Sequence, residues 1–303
     1  MAGKIVRVGI DKRGVATVTL NRPDRNNAYN GEMIDQLAKG AARLAADPKV
    51  RVVVLRGAGR HFQAGADLGW IQSVRAGTVD ENLDVSRATT EAVHGLTAMP
   101  KPVVALVHGG CFGGGTGIAS ACDIVIADRS AIFSITEARW GLIATPIVPQ
   151  LLSRIGPGRA RRYSLTCERF GADRALEIGL IDEVCEAGEL DATAAPIIDA
   201  LLHCAPDALA QSKAAILKYA GLHYSDIERS DMATPHAMKR LTDEAGEGLA
   251  SFLEKRKPAW YPSVDAPADK PARKPAPKRT AAKKSVSKKA APKKPAKKAA
   301  GKR

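Results

Sequence analysis

The chain has 303 residues, 45% of them hydrophobic, enough for one large domain or two small ones with a sizeable core. Its five cysteines are scattered, odd in number and without a C-x-x-C pair, which argues against a disulfide framework or a zinc site and for inert thiols in a reducing, cytoplasmic setting. The formal charge of +14 is concentrated: residues 264–303 hold 15 Lys and Arg against Asp265 and Asp269, while the remainder carries 31 Lys and Arg against 30 Asp and Glu, so any basic function belongs to the tail.

Residues 1–10 mix Ile5, Val6, Val8 and Ile10 with Lys and Arg and lack the apolar centre of an export signal. No stretch approaches about 18 uncharged apolar residues, so neither export nor membrane insertion is expected. A strand is predicted over residues 15–20, ending at Asn21-Arg22-Pro23. Asn30 is placed to cap a helix whose Met33, Ile34, Leu37, Ala41 and Leu44 share one face, closed by Asp47-Pro48. Residues 50–55 read as a buried strand stopped by Gly57-Ala58-Gly59, and an amphipathic stretch at 80–98 precedes the strand 103–107. A glycine cluster, a short apolar helix ending near Ala121 and a strand at 124–127 follow. The last third, 158–257, is mostly helical by spacing. Strands alternating with helices imply an α/β fold.

The tail from Asp265 onward is Lys, Ala and Pro and cannot bury enough surface to offset its ordering entropy, so it reads as disordered. It is either a solvated solubility tail or a non-specific binder of nucleic acid or another polyanion.

Three segments are candidates for chemistry. Phe62-Gln63-Ala64-Gly65-Ala66-Asp67-Leu68 follows a buried strand, and its small residues let backbone N–H groups approach a ligand; alone it reads no differently from a tight surface turn. Six glycines lie among residues 108–117 between a strand and a helix, without the spacing of G-x-G-x-x-G or a P-loop, which argues against dinucleotide and nucleoside-triphosphate sites. Such a turn suits the presentation of a backbone N–H at a helix start. In Phe133-Ser134-Ile135-Thr136-Glu137-Ala138-Arg139-Trp140-Gly141-Leu142, Glu137 sits among apolar and small residues. It is either a carboxyl of raised pKa suited to proton transfer or a surface glutamate near a helix start. The six histidines show no paired-ligand spacing, and no G-x-S-x-G occurs.

The order and spacing of these segments resemble the crotonase, or enoyl-coenzyme A hydratase/isomerase, superfamily: A-G-A-D-L, then G-G-G before C-D-I, then the glutamate segment with W-G-L. The likeness runs from about residue 5 to 262 and includes Leu20-Asn21-Arg22-Pro23, Asn27-Ala28, Lys101-Pro102-Val103 and Phe252-Leu253-Glu254-Lys255-Arg256-Lys257-Pro258. It implies a crotonase-like spiral of strand-strand-helix units over 1–190, a helical C-terminal region over 191–263 that builds trimers or hexamers, and the tail 264–303. It implies Ala66 and Gly114 as the oxyanion hole, Glu137 as the proton-transfer group, and Ala28, Ala64, Gly65, Asp67, Leu68 and Gly117 along the coenzyme A and substrate wall. It implies no metal and no cofactor, coenzyme A being part of the substrate.

Gly117 stands where the best-known hydratases of the family carry a first glutamate, so a scheme with two carboxylates is not available. Residues 141–149 and 161–170 look most like the bacterial methylglutaconyl-coenzyme A hydratase group, with Ala144 where that group usually has proline. The resemblance therefore implies reversible hydration of an α,β-unsaturated acyl-coenzyme A. The alternatives are double-bond isomerisation with Glu137 as sole shuttle, and a non-catalytic acyl-coenzyme A binder with a polyanion-binding tail.

Overall fold

The computed structural model describes residues 4–262. In chain order the elements are β1 (Val6–Ile10), β2 (Val15–Leu20), α1 (Gly31–Ala46), β3 (Val52–Gly57), α2 (Leu68–Arg75), α3 (Val79–Thr97), β4 (Val103–Val107), β5 (Gly110–Phe112), α4 (Gly114–Ser120), β6 (Ile124–Asp128) and β7 (Ile132–Ser134). They continue as α5 (Val148–Thr166), β8 (Phe170–Gly171), α6 (Ala172–Glu177), β9 (Glu183–Cys185), α7 (Leu190–His203), α8 (Pro206–Tyr219), α9 (Asp226–Arg240) and α10 (Asp243–Leu253).

A six-stranded sheet runs β1-β2-β3-β4-β6-β9, parallel except for the β1/β2 pair, and a small sheet runs β5-β7-β8. Each of β4 and β6 leaves the large sheet, adds a strand to the small one, and then turns into a helix: β4-β5-α4 and β6-β7-α5. These are the strand-strand-helix units of the expected spiral. Strand residues alternate between two faces. Val53, Leu55, Val103 and Ala105 pack on the side of α1 and α3, while Val52, Val54, Val104 and Leu106 pack with Leu190, Ala194 and Ile198 of α7. Burial on both faces is why these strands read as continuous apolar runs.

Helix α1 starts where Asn30 Oδ1 accepts from the Met33 N–H at 3.0 Å, a cap worth about 1 kcal/mol. Its buried residues are Met33, Ile34, Leu37, Ala41 and Leu44, the stripe set by the sequence periodicity. Strand β1 was not anticipated: only Val6 of its five residues is buried, so this edge strand shows little apolar pattern. Strands β8 and β9 interrupt the expected helical last third, being two and three residues long and too short to leave a period.

The regions drawn on either side of residue 190 belong to one compact unit ending at Tyr261. Helix α9 lies along α3, and α10 packs on α2 and on the turn Glu137–Trp140. Helix α8 has no buried residue and exposes Ile216 and Tyr219. Among the described residues no helix is long and apolar enough to cross a membrane. The basic tail at 264–303 lies outside the described residues.

Candidate active site

Three loops at the ends of the strands converge. Buried Asn27 staples the first: its Nδ2 donates to the carbonyls of Ala58 and His61 at 2.8 and 2.7 Å, and its Oδ1 accepts from the Arg22 N–H at 2.8 Å. The second loop, after β3, is bound to the third by Gln63 N–H to the Gly110 carbonyl at 3.1 Å and Phe112 N–H to the Gln63 carbonyl at 2.9 Å. Gly65 turns at φ 87°, and a Cβ there would come within 3.0 Å of the Phe112 carbonyl oxygen, so glycine allows both the angle and the approach.

Among the main-chain donors these loops leave unclaimed are those of Ala66 and Gly114. Tyr29 N–H goes to the Gly65 carbonyl and Asp67 N–H to the Tyr29 carbonyl, but the Ala66 N–H between them has no acceptor among the described residues. Gly113 N–H goes to Ser134, whereas the N–H of Gly114, first residue of α4, has none. A helix start leaves its first N–H groups free and slightly positive. A Cβ on Gly114 would stand 2.6 Å from Tyr29 Cε1, so no larger residue fits. Ala66 and Gly114 both line a cavity of about 540 Å³.

Glu137 opens a short helical turn after β7. The residue is half-buried, but its Oε2 is shut off from solvent and makes no hydrogen bond. Its Oε1 lies 3.0 Å from where a Gly113 Cβ would be, which sets the carboxyl against the turn bearing the Gly114 amide. Burial pushes its pKa from 4.5 to about 7, opposed by the backbone N–H groups of Glu137 and Thr136. A carboxyl with such a pKa can both take and return a proton near neutrality. The surface-glutamate reading is thereby excluded.

The same cavity is lined by Ala28, Ala64, Asp67 and Leu68, as the sequence reading has it, but not by Gly65 or Gly117. Gly65 supplies the turn rather than the wall. Gly117 is fully buried behind Ile147: a Cβ at 117 would lie 2.5 Å from the Ile147 Cβ and collide with its methyl, so Ile147 forms the wall instead. A glutamate at 117 has no room. Asp67 also has structural work, capping α2 through the Trp70 N–H at 3.3 Å and pairing with Arg22 at 3.2 Å. Among the lining residues that escaped the sequence reading are Tyr29, Ile147, His236 and Arg240. For the last two the available signal was the pair spaced i, i+4 on the buried stripe of α9 that also carries Ala233 and Ala237.

Two unclaimed amides and one enclosed carboxyl around a single cavity are an arrangement that can steady negative charge on an oxygen while a proton moves nearby. Residues 11–262 match the family model described as enoyl-CoA hydratase/isomerase. The chain is 34% identical over 253 residues to the short-chain-enoyl-CoA hydratase of Clostridium acetobutylicum, covering 82% of this chain and 95% of that one. It is 34% identical over 249 residues to the 1,2-epoxyphenylacetyl-CoA isomerase of Escherichia coli, covering 82% and 95%. The crystal structure of an enoyl-CoA hydratase from Mycobacterium avium matches with a TM-score of 0.75 and 35% identity, over 85% of this chain and 99% of that one. The protein belongs to the enoyl-CoA hydratase/isomerase, or crotonase, family.

Proposed function

We propose that this enzyme adds water reversibly across the α,β double bond of an acyl-coenzyme A, with Glu137 as the only proton carrier. The thioester oxygen accepts from the Ala66 and Gly114 amides. Ionised Glu137 takes a proton from water as the water oxygen bonds to the β carbon, and charge flows to the thioester oxygen as an enolate. The protonated carboxyl then returns that proton to the α carbon, so one water is added and Glu137 ends as it began. Each amide is worth about 3–4 kcal/mol to the enolate-like transition state. Arg25 and Arg169, exposed where they line the cavity, suit the phosphates of coenzyme A. The exposed α8 face suits burial between copies of the chain, which makes a trimer or hexamer the expected mass in sedimentation.

The observation that carries this reading is the enclosed, unpartnered Glu137 Oε2 in the cavity that Ala66 and Gly114 also line. The test is Glu137→Gln, checked by circular dichroism, against a panel of enoyl thioesters; hydration at near wild-type rate in the variant would end the proposal. A second reading is double-bond isomerisation, favoured by Ile147 closing the space at Gly117, because one carboxyl suffices to carry a proton between two carbons. Incorporation of heavy oxygen from labelled water into product separates the two.

A further inference from the structure

The reaction centre leaves the acyl group unspecified, but the cavity carries a charge that the chemistry above does not use. Arg240, the last residue of α9, is 1% exposed. Its Nη1 donates to the carbonyl oxygen of Asn82 at 3.2 Å and to Asn82 Oδ1 at 3.1 Å, and its Nη2 to Ser86 Oγ at 3.1 Å and His236 Nδ1 at 3.3 Å. All of these acceptors are neutral. Burial and the neighbouring guanidinium push His236 down to about 3, so its ring carries no charge. No carboxylate lies within ion-pair distance of Arg240 among the described residues.

The hydrogen-bond pattern leaves two donors over. Arg240 Nη2 can only donate, so His236 Nδ1 is an acceptor, and Ser86 Oγ, 2.9 Å away, donates to that nitrogen as well. With Nδ1 an acceptor, the ring proton sits on Nε2. Neither the His236 Nε2–H nor the Arg240 Nε–H has an acceptor among the described residues, yet both side chains line the same cavity as Ala66, Gly114 and Glu137. A guanidinium taken out of water is costly unless an anion meets it. The cradle of Asn82, Ser86 and His236 fixes its orientation and neutralises nothing.

We propose that Arg240 and His236 form a receiving site for an anionic end of the acyl chain, so that the substrate is an enoyl thioester bearing a second, free carboxylate. The inference rests on the acyl-coenzyme A reading above. The carboxylate accepts from Arg240 Nε–H and His236 Nε2–H, supplying the missing counter-charge. Thioesters ending in a methyl group leave both donors unpaired in an apolar wall, and a site built for a polar group discriminates strongly against an analogue lacking it.

The test uses the full chain and calorimetric binding of saturated, unreactive thioesters. Succinyl-, glutaryl- and adipyl-coenzyme A are each compared with the methyl-ended butyryl-, pentanoyl- and hexanoyl-coenzyme A. At one chain length or more the acid should bind at least about tenfold tighter, and kcat/KM for glutaconyl- over pent-2-enoyl-coenzyme A should exceed about 100-fold. Arg240→Gln should abolish both preferences, and Arg240→Lys should restore part of them. Wild-type protein that binds no acid more tightly than its methyl partner overturns the inference whether or not the variants fold. Preferential binding of the acids with neither unsaturated thioester converted instead sinks the reaction proposed above and leaves the anion site standing.

Discussion

The raised pKa of Glu137 is a statement about stability as well as catalysis. In the unfolded chain the carboxyl ionises near 4.5, and in the fold at about 7, because burial penalises its charge. The proton is therefore held more tightly in the fold. The stabilisation that comes with it is complete below pH 4.5 and is lost as pH rises through 7. Glu137→Gln keeps the shape of the protonated carboxyl and cannot ionise. Relative to wild type it should be more stable by about 1 kcal/mol at pH 5 and about 3 kcal/mol at pH 8.5. The gap of about 2 kcal/mol corresponds to roughly 4–8 °C in Tm for a unit of this size. Thermal or denaturant melts of both proteins at the two pH values provide the assay, and other titrating groups cancel in the difference. Tyr29 and Cys167 feel the Glu137 charge, but burial raises both, so they stay protonated throughout. Parallel stability curves for the two proteins across this range would show that the cavity does not tune the carboxyl. For hydration, which begins from the carboxylate, kcat/KM should rise with pH through about 7 in the wild type.

Two further substitutions probe the walls of the site. Ala66→Pro deletes one free amide that no other group uses, and should lower kcat by about 100- to 1,000-fold with little change in KM; a loss confined to KM would remove Ala66 from the oxyanion hole. Gly117→Ala drives a methyl into Ile147 and should cost about 1–3 kcal/mol in denaturant melts, a loss that Ile147→Ala largely relieves. Additive losses in the double variant would show that the two positions do not touch.

Features governed by short-range periodicity were readable in the sequence. The α1 stripe from Met33 to Leu44, its Asn30 cap and the buried strands follow from spacing alone. The glycine turn at 113–114 and Glu137 were singled out by residue type and order, but a free amide or an enclosed oxygen becomes visible only when three loops meet. Gly117 was misplaced on the wall because nothing near it in sequence tells of Ile147, thirty residues on, filling the space. The cradle of Arg240 was hidden for the same reason on a longer scale, since Asn82 and Ser86 stand more than 150 residues away.

Among the stretches of chain that furnish the cavity, two contrast. The Ala66 and Gly114 amides and the Glu137 carboxyl come from residues between 64 and 137, whereas His236 and Arg240 on α9, with Phe252 and Leu253 on α10, come from the C-terminal helices. Main-chain donors persist through most side-chain changes, so the first stretch resists drift. The second is made of side chains that a handful of substitutions can recolour, so the same reaction core can be handed a new acyl group without disturbing its chemistry.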